Sequence, residues 1–168
     1  GEETGGGNAS DGIADHMSLG LMYKGGGLKV ALGYEELDNQ AGGAAPTAVN
    51  VDREMWQLGA SYTMGMFTVG AHYESTDNAG FVSGTDYTAW ALTGKAKFGN
   101  SSVMLVYTDS ESDPSAGLST ETDGWGLAGQ HNLSKRTKVY AAYATQDVDA
   151  AGVSSDADTF SLGVIHDF

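Results

Sequence analysis

Cysteine is absent from the 168 residues, which removes disulfide frameworks, thiolate metal sites and cysteine nucleophiles in one step. A chain without thiols is at ease in an oxidising envelope. Proline occurs only twice, and no run approaches the ~18 apolar residues of a membrane-spanning helix. Basic residues are scarce, 8 against 22 acids for a formal charge of −14. Phosphate binding needs clustered Lys and Arg, so no nucleic-acid partner is expected, and cation attraction is the more natural reading of the charge. Catalytic signatures are missing as well: there is no Gly-x-Ser-x-Gly elbow, no phosphate-binding glycine loop before a helix and no metal-spaced His cluster. The expectation is a protein that is not an enzyme and takes no cofactor or metal. Gly1 to Ser10 is polar and acidic, without the basic-then-apolar order of a signal peptide. Either a leader has been removed or the chain begins partway through a longer protein.

What is present is glycine, 25 residues of it, and Tyr, Phe and Trp set in short alternating runs. Nine segments alternate with a period of two, at 15–23, 28–37, 54–64, 66–76, 87–98, 102–109, 124–133, 138–147 and 159–168. Their length of about 8–12 residues suits tilted strands that cross a bilayer. Two classes of connection alternate between them. Lys24-Gly25-Gly26-Gly27, Gly65, Gly99-Asn100-Ser101 and Ser134-Lys135-Arg136-Thr137 are tight, whereas Asn39 to Asp52, Asp77 to Asp86, Ser110 to Asp123 and Val148 to Asp158 are longer and polar. Transmembrane barrels have this asymmetry, with short turns at one end and long loops at the other.

Alternation also sorts residues into faces. Trp56, Leu58, Ala60, Tyr62 and Met64 share one, and Met55, Gln57, Gly59, Ser61 and Thr63 the other; Phe67, Val69, Ala71 and Tyr73 oppose Thr68, Gly70, His72 and Glu74 in the same way. A soluble sandwich turns its apolar face inward and a membrane barrel turns it to lipid, so alternation alone does not choose. Two features favour the barrel. Aromatics such as Tyr34, Trp56, Tyr73, Trp90, Tyr107, Trp125, Tyr143 and Phe160 fall near the ends of the apolar faces, where interfacial girdles lie. The opposite face, with Gly20, Gly33, Gly59, Gly70, Gly126 and Gly163 among Ser, Thr and Gln, is too small and polar for a packed core and suits a wet lumen.

Charge is ordered along the same axis. Seven basic residues (Lys24, Lys29, Lys95, Lys97, Lys135, Arg136, Lys138) lie at or near short turns, with Arg53 the exception, and most acids lie at or near the long connections. That predicts a negative mouth at the loop end and a positive rim at the other. His72 and Glu74 share a face but lack a third ligand at metal spacing. Asp109-Ser110-Glu111-Ser112-Asp113 offers calcium-like oxygens without the ordered Gly and final Glu of an EF-hand, and is expected to be a solvated acidic loop.

The ending Phe160-Ser161-Leu162-Gly163-Val164-Ile165-His166-Asp167-Phe168 resembles the closing strand of Gram-negative porins, with a terminal Phe after hydrophobic residues on alternate positions. Its Gly-x-x-His-x-Phe form is similar to the trimeric general porins of the neisserial and related proteobacterial type. There His166 interrupts the apolar series, and Ile165 and Asp167 replace a more basic ending. A second match, His131-Asn132-Leu133-Ser134-Lys135-Arg136-Thr137-Lys138-Val139-Tyr140, resembles the Leu-Ser-Lys-Arg-Thr turn and following Tyr strand of that family.

The resemblance implies an all-β, antiparallel transmembrane barrel of 16 strands. Residues 1–168 would then be the C-terminal part of one barrel domain, with about nine strands from 15 to 168 and Gly1 to Ala14 in an external loop. Implied partners are the remaining N-terminal strands, a homotrimer, outer-membrane lipid and lipopolysaccharide. The outer-membrane assembly machinery would read Phe160, Leu162, Val164, His166 and Phe168. The implied function is a passive channel for small hydrophilic solutes and ions, integral to the outer membrane, with acidic loops external and the C-terminus periplasmic. Parity makes Lys29, Glu35, His72, Glu74, Lys95, Lys97 and Lys138 the pore-lining candidates. The alternative is a non-conducting structural or adhesive barrel that binds through its acidic loops, and a small barrel of eight or ten strands also remains open.

Overall fold

The computed structural model describes residues 16–38 and 51–168, so the expected external loop Gly1 to Ala14 and nearly all of the Asn39 to Asp52 connection lie outside the described residues. Nine strands run in chain order: β1 (His16–Gly25), β2 (Leu28–Leu37), β3 (Arg53–Met64), β4 (Phe67–Asp77), β5 (Asp86–Phe98), β6 (Ser101–Asp113), β7 (Thr120–Asn132), β8 (Thr137–Ala150) and β9 (Val153–His166). They form one antiparallel meander in which each strand pairs with its sequence neighbours. The only helix among the described residues is a 3₁₀ turn at Ala79–Phe81. Among the described residues no helix is long and apolar enough to cross a membrane, which says nothing of crossing by strands.

The tight turns follow from their residues. Gly26 and Gly27 both have positive φ, 57° and 86°, the pair a type I′ hairpin turn requires. A Cβ on Gly27 would also stand 2.6 Å from the Thr63 carbonyl oxygen. The loop-end connections differ from expectation. Strands β6 to β9 continue well past the anticipated limits, and the expected Val148 to Asp158 loop is a hairpin closed by the two-residue turn Ala151-Gly152. The strict alternation of short and long connections therefore ends at the last hairpin. The Asp109 to Asp113 run is strand rather than loop, with its acids on one face and its serines on the other.

All eight ladders keep register without a bulge, so parity assigns a face consistently from β1 to β9. Among the described residues no hydrophobic side chain is buried, and the only buried polar one is Thr76 at 6% exposure. The apolar face instead looks outward, with Leu105 52% and Leu162 75% exposed. Depressions lie on the opposite, polar face, lined for instance by Met22, Gly59, Ser61, His72, Ala91 and Thr93, which marks that side as concave. A sheet with no core and a continuous apolar outer surface is stable only when lipid covers that surface.

Each strand from β2 to β9 places one aromatic in a row on the outer face. Tyr34 faces Trp56, Tyr73 faces Trp90, Tyr107 faces Trp125 and Tyr143 faces Phe160 as register partners. Rings also meet between pairs, Trp90 with Tyr107 at 5.2 Å and Trp125 with Tyr143 at 5.5 Å. Each pair sits two residues nearer the turn end than the one before it, because Trp56 is opposite Ser75 rather than Tyr73, and Trp90 is opposite Asp109 rather than Tyr107. That slide amounts to about 3.3 Å per ~4.8 Å of strand spacing, a tilt of roughly 35° if the row is level with the membrane plane. From Trp56 to Met64, the apolar face of β3 covers eight residue steps. At that tilt this is about 22 Å, close to the ~25 Å band of outer-membrane barrels.

Candidate functional site

The concave face carries the small and polar side chains of the sheet. All seven candidates named from the sequence fall on it: Lys29 and Glu35 on β2, His72 and Glu74 on β4, Lys95 and Lys97 on β5, and Lys138 on β8. Two basic residues that the sequence reading passed over join them, Lys24 on β1 and Arg53 on β3. Parity was the signal for both, since Lys24 continues the series Ser18, Gly20, Met22, and Arg53 begins the series Met55, Gln57, Gly59.

The candidates divide into two groups. Near the loop end Arg53 Nη2 donates to Glu35 Oε1 at 3.0 Å, and His16 Nε2 lies 3.7 Å from the other oxygen of that carboxylate. Glu74 accepts from Gln57 Nε2 at 3.3 Å. The Arg53 guanidinium lies 5.7 Å from the centre of the Phe81 ring, which the 78–85 connection brings across from β4. That connection is tied down by Asn78, whose side chain donates to the Asp52 carbonyl and accepts from Gly84 N–H. Toward the turn end stand Lys24, Lys29, Lys95, Lys97 and Lys138, and none of them has a carboxylate within ion-pair distance among the described residues. His72 and Glu74 stand two residues apart on this face, and the Glu74 carboxylate is held by the Gln57 amide.

Small residues keep this face low. Gly20 lies opposite Gly33, and Gly59 opposite both Ala31 and His72. Tyr140 lies flat over Gly163, its register partner, where a Cβ would come within 2.6 Å of the ring. Gly124 and Gly126 are buried beside β8. Side chains of this size cannot fill a barrel interior.

The acids are elsewhere. Of the strand acids only Glu35 and Glu74 face the concave side; thirteen others, from Glu36 on β2 to Asp158 on β9, share the outer face with the aromatic row and lie beyond it toward the loop end. Asp109, Asp123, Asp147 and Asp156 are successive register partners across four strands. Tyr34 and Tyr143 of the aromatic row donate to Glu36 and Asp158 at 3.0 Å. The negative mouth expected from sequence is thus an outer collar, and the concave side of β6 to β9 at that level carries Ser110, Ser112, Thr120, Thr122, Gln146 and Ser155. The carboxylates of Glu36, Asp38 and Asp52 gather with oxygens within 4.8 Å of one another, an acidic group at the loop end of β2 and β3.

The sequence group Phe160, Leu162, Val164 and His166 lies on the outer face of β9, with Phe168 beyond the strand and its ring edge-on to His166 at 5.0 Å. Arg136 Nε donates to the Asp167 carbonyl at 2.8 Å and fastens this end to the β7–β8 turn.

The sequence model of the family described as Gram-negative porin matches residues 1–151. Among curated proteins nothing matches. Solved structures do: the in-vitro folded outer membrane protein OmpT of Vibrio cholerae superposes with a TM-score of 0.72 at 20% identity, over 90% of this chain and 49% of that one. A trimer form of the same Vibrio cholerae protein gives 0.70 at 22% identity, over 90% and 49%. The anion-selective porin from Comamonas acidovorans gives 0.73 at 23% identity, over 91% and 49%. At these identities the likeness is one of fold, and the chain spans about half the length of the structures it matches.

Proposed function

The chain belongs to the Gram-negative porin family of the outer membrane, and from that premise we propose that it forms part of the wall of a passive, water-filled channel for small hydrophilic solutes and ions. The observation that carries this reading is the division of the sheet: an apolar outer face with an aromatic row, and a concave face of glycine, hydroxyl, amide and lysine side chains too small to pack into a core. Such a wall admits solutes by size and field and needs no cofactor. The same small side chains argue against a plugged, purely adhesive barrel.

In this reading residues 1–168 are the C-terminal part of a single barrel domain. Among the described residues the nine strands leave two unpaired sheet edges, whereas bacterial single-chain barrels close with an even number. Seven preceding strands would complete sixteen, consistent with the half-length coverage of the related structures. The short turns and C-terminus face the periplasm and the longer connections the exterior, which sets the acidic collar at the lipopolysaccharide headgroups. Phe160, Leu162, Val164, His166 and Phe168 serve as the assembly signal. The assembled protein is a homotrimer, as one related structure is.

The test is the mass of the native protein from outer membranes, heated and unheated, followed by planar-bilayer conductance of the same sample. The expected result is an SDS-resistant trimer of subunits much larger than 17.4 kDa with stepwise conductance. A stable species of this mass alone that never conducts refutes the channel.

A further inference from the structure

A chain with a formal charge of −14 would ordinarily be taken to attract cations. The register separates its charges by face. Every basic residue within a strand (Lys24, Lys29, Arg53, Lys95, Lys97, Lys138) points to the concave side, and thirteen of the fifteen strand acids point outward. On the concave side six basic groups thus face two carboxylates, and both carboxylates are occupied: Glu35 by Arg53 and His16, Glu74 by the Gln57 amide. Among the described residues no carboxylate lies within ion-pair distance of these lysines, and Lys29, Lys95 and Lys97 are exposed on the concave side. A charge on the near side of a wall acts through water over a few ångströms. One on the far side is a sheet thickness away, and beyond a Debye length of ~8 Å salt screens most of its effect.

We infer that Lys29, Lys95, Lys97 and Lys138 bias permeation toward small anions such as chloride, inorganic phosphate and short carboxylates, while the outward carboxylates have no part in ion selection. This deepens the channel reading and rests on it. The lysines cluster toward the turn end, so in the proposed orientation an anion entering from outside passes the Arg53–Glu35 pair and Glu74 on β2 to β4, and Ser, Thr and Gln on β6 to β9, before it meets the positive zone. Lys95 and Lys97 stand two residues apart on β5, as Lys24 and Lys29 stand opposite each other across β1 and β2, and the β5 pair is the one tested.

The experiment is the reversal potential of the native, full-length channel in a planar bilayer under a potassium chloride gradient, for three proteins: unmodified, K95E/K97E, and the outer-face set D109N/D123N/D147N/D156N. At about 7 Å in water a unit charge shifts an ion's energy by roughly RT, so reversing two of them is expected to lower the chloride-over-potassium permeability ratio roughly threefold or more. The outer-face set is expected to leave the ratio unchanged. Should K95E/K97E fail to assemble, K95Q/K97Q gives the same direction with a smaller shift. A conducting channel whose ratio ignores the lysine changes, or follows the outer-face set as strongly, overturns this inference alone. An unmodified protein that never conducts overturns the channel reading and this inference together.

Discussion

The division of faces makes a sharp demand on two adjacent residues of β6. Leu105 stands on the outer face two residues from Tyr107 toward the turn end, between the aromatic level and the middle of the apolar band, and Val106 stands on the concave face against Gly126. Arginine at the midplane of a barrel's lipid face costs about 2–4 kcal/mol, whereas a lumenal arginine remains hydrated. Leu105 lies between the midplane and the aromatic level, so Leu105→Arg is expected to cost about 1–3 kcal/mol and to lower the folded-to-unfolded ratio by roughly fivefold to a hundredfold, at one factor of ten per ~1.4 kcal/mol. Val106→Arg is expected to cost little, because its side chain extends from beside Gly126 into water on the concave side. The assay is urea-dependent folding of the full-length protein into lipid vesicles, read by the gel shift between heated and unheated samples. Equal losses for the two variants, or a neutral Leu105→Arg, would refute the assignment of faces and the membrane reading built on it.

Four further outcomes follow from particular contacts. Ala151 adopts φ 54° in the β8–β9 turn, so Ala151→Gly should raise the unfolding free energy from the urea titration by about 1 kcal/mol; a fall would mean that the turn is not left-handed. A Cβ on Gly124 would stand 2.5 Å from the Thr145 carbonyl oxygen, so Gly124→Ala should destabilise by about 1–3 kcal/mol, measured in the same titration. All three tryptophans lie in the outer aromatic row, so bromine on the upper acyl chain should quench nearly all tryptophan fluorescence of this part of the protein, and aqueous acrylamide little of it. Asp123 lies between Asp109 and Asp147 in the outer collar, so Asp123→Asn should raise thermal stability at low salt, with the gain fading near 1 M salt, where the Debye length is about 3 Å.

Strands were legible in the sequence wherever one of their faces meets lipid. Between Phe67 and Tyr73, or between Leu58 and Met64, alternate residues differ sharply in polarity because one set is in hydrocarbon and the other in water. Above the aromatic row both faces are wet and that contrast disappears. Val153 to Thr159 puts Ser154, Asp156 and Asp158 on one side and Ser155, Ala157 and Thr159 on the other, a composition that looks like loop although its backbone is fully paired with β8. The same loss of contrast hid the loop-end halves of β6, β7 and β8. Parity put the seven candidates on one face of the sheet, and the register keeps them there because no bulge intervenes. What it could not supply was the contact of Phe81 with Arg53, which depends on how the 78–85 connection folds across a neighbouring strand. Nor could it place the acids, because sequence position revealed their height along the barrel but not, once the strands were drawn too short, the side on which they stand.

Eight unbroken ladders have a bearing on how such a wall can change over generations. With a strict two-residue period, deleting one residue inside a strand turns every later side chain of that strand over, sending Leu to the water and Lys to the lipid. Gains and losses of length are therefore tolerable only in the connections, or in pairs of residues within a strand. Two-residue turns such as Gly26-Gly27 and Ala151-Gly152 act as joints at which whole hairpins can be exchanged between related chains without disturbing either face. The hairpin, rather than the residue or the strand, is the unit in which this surface can be rearranged.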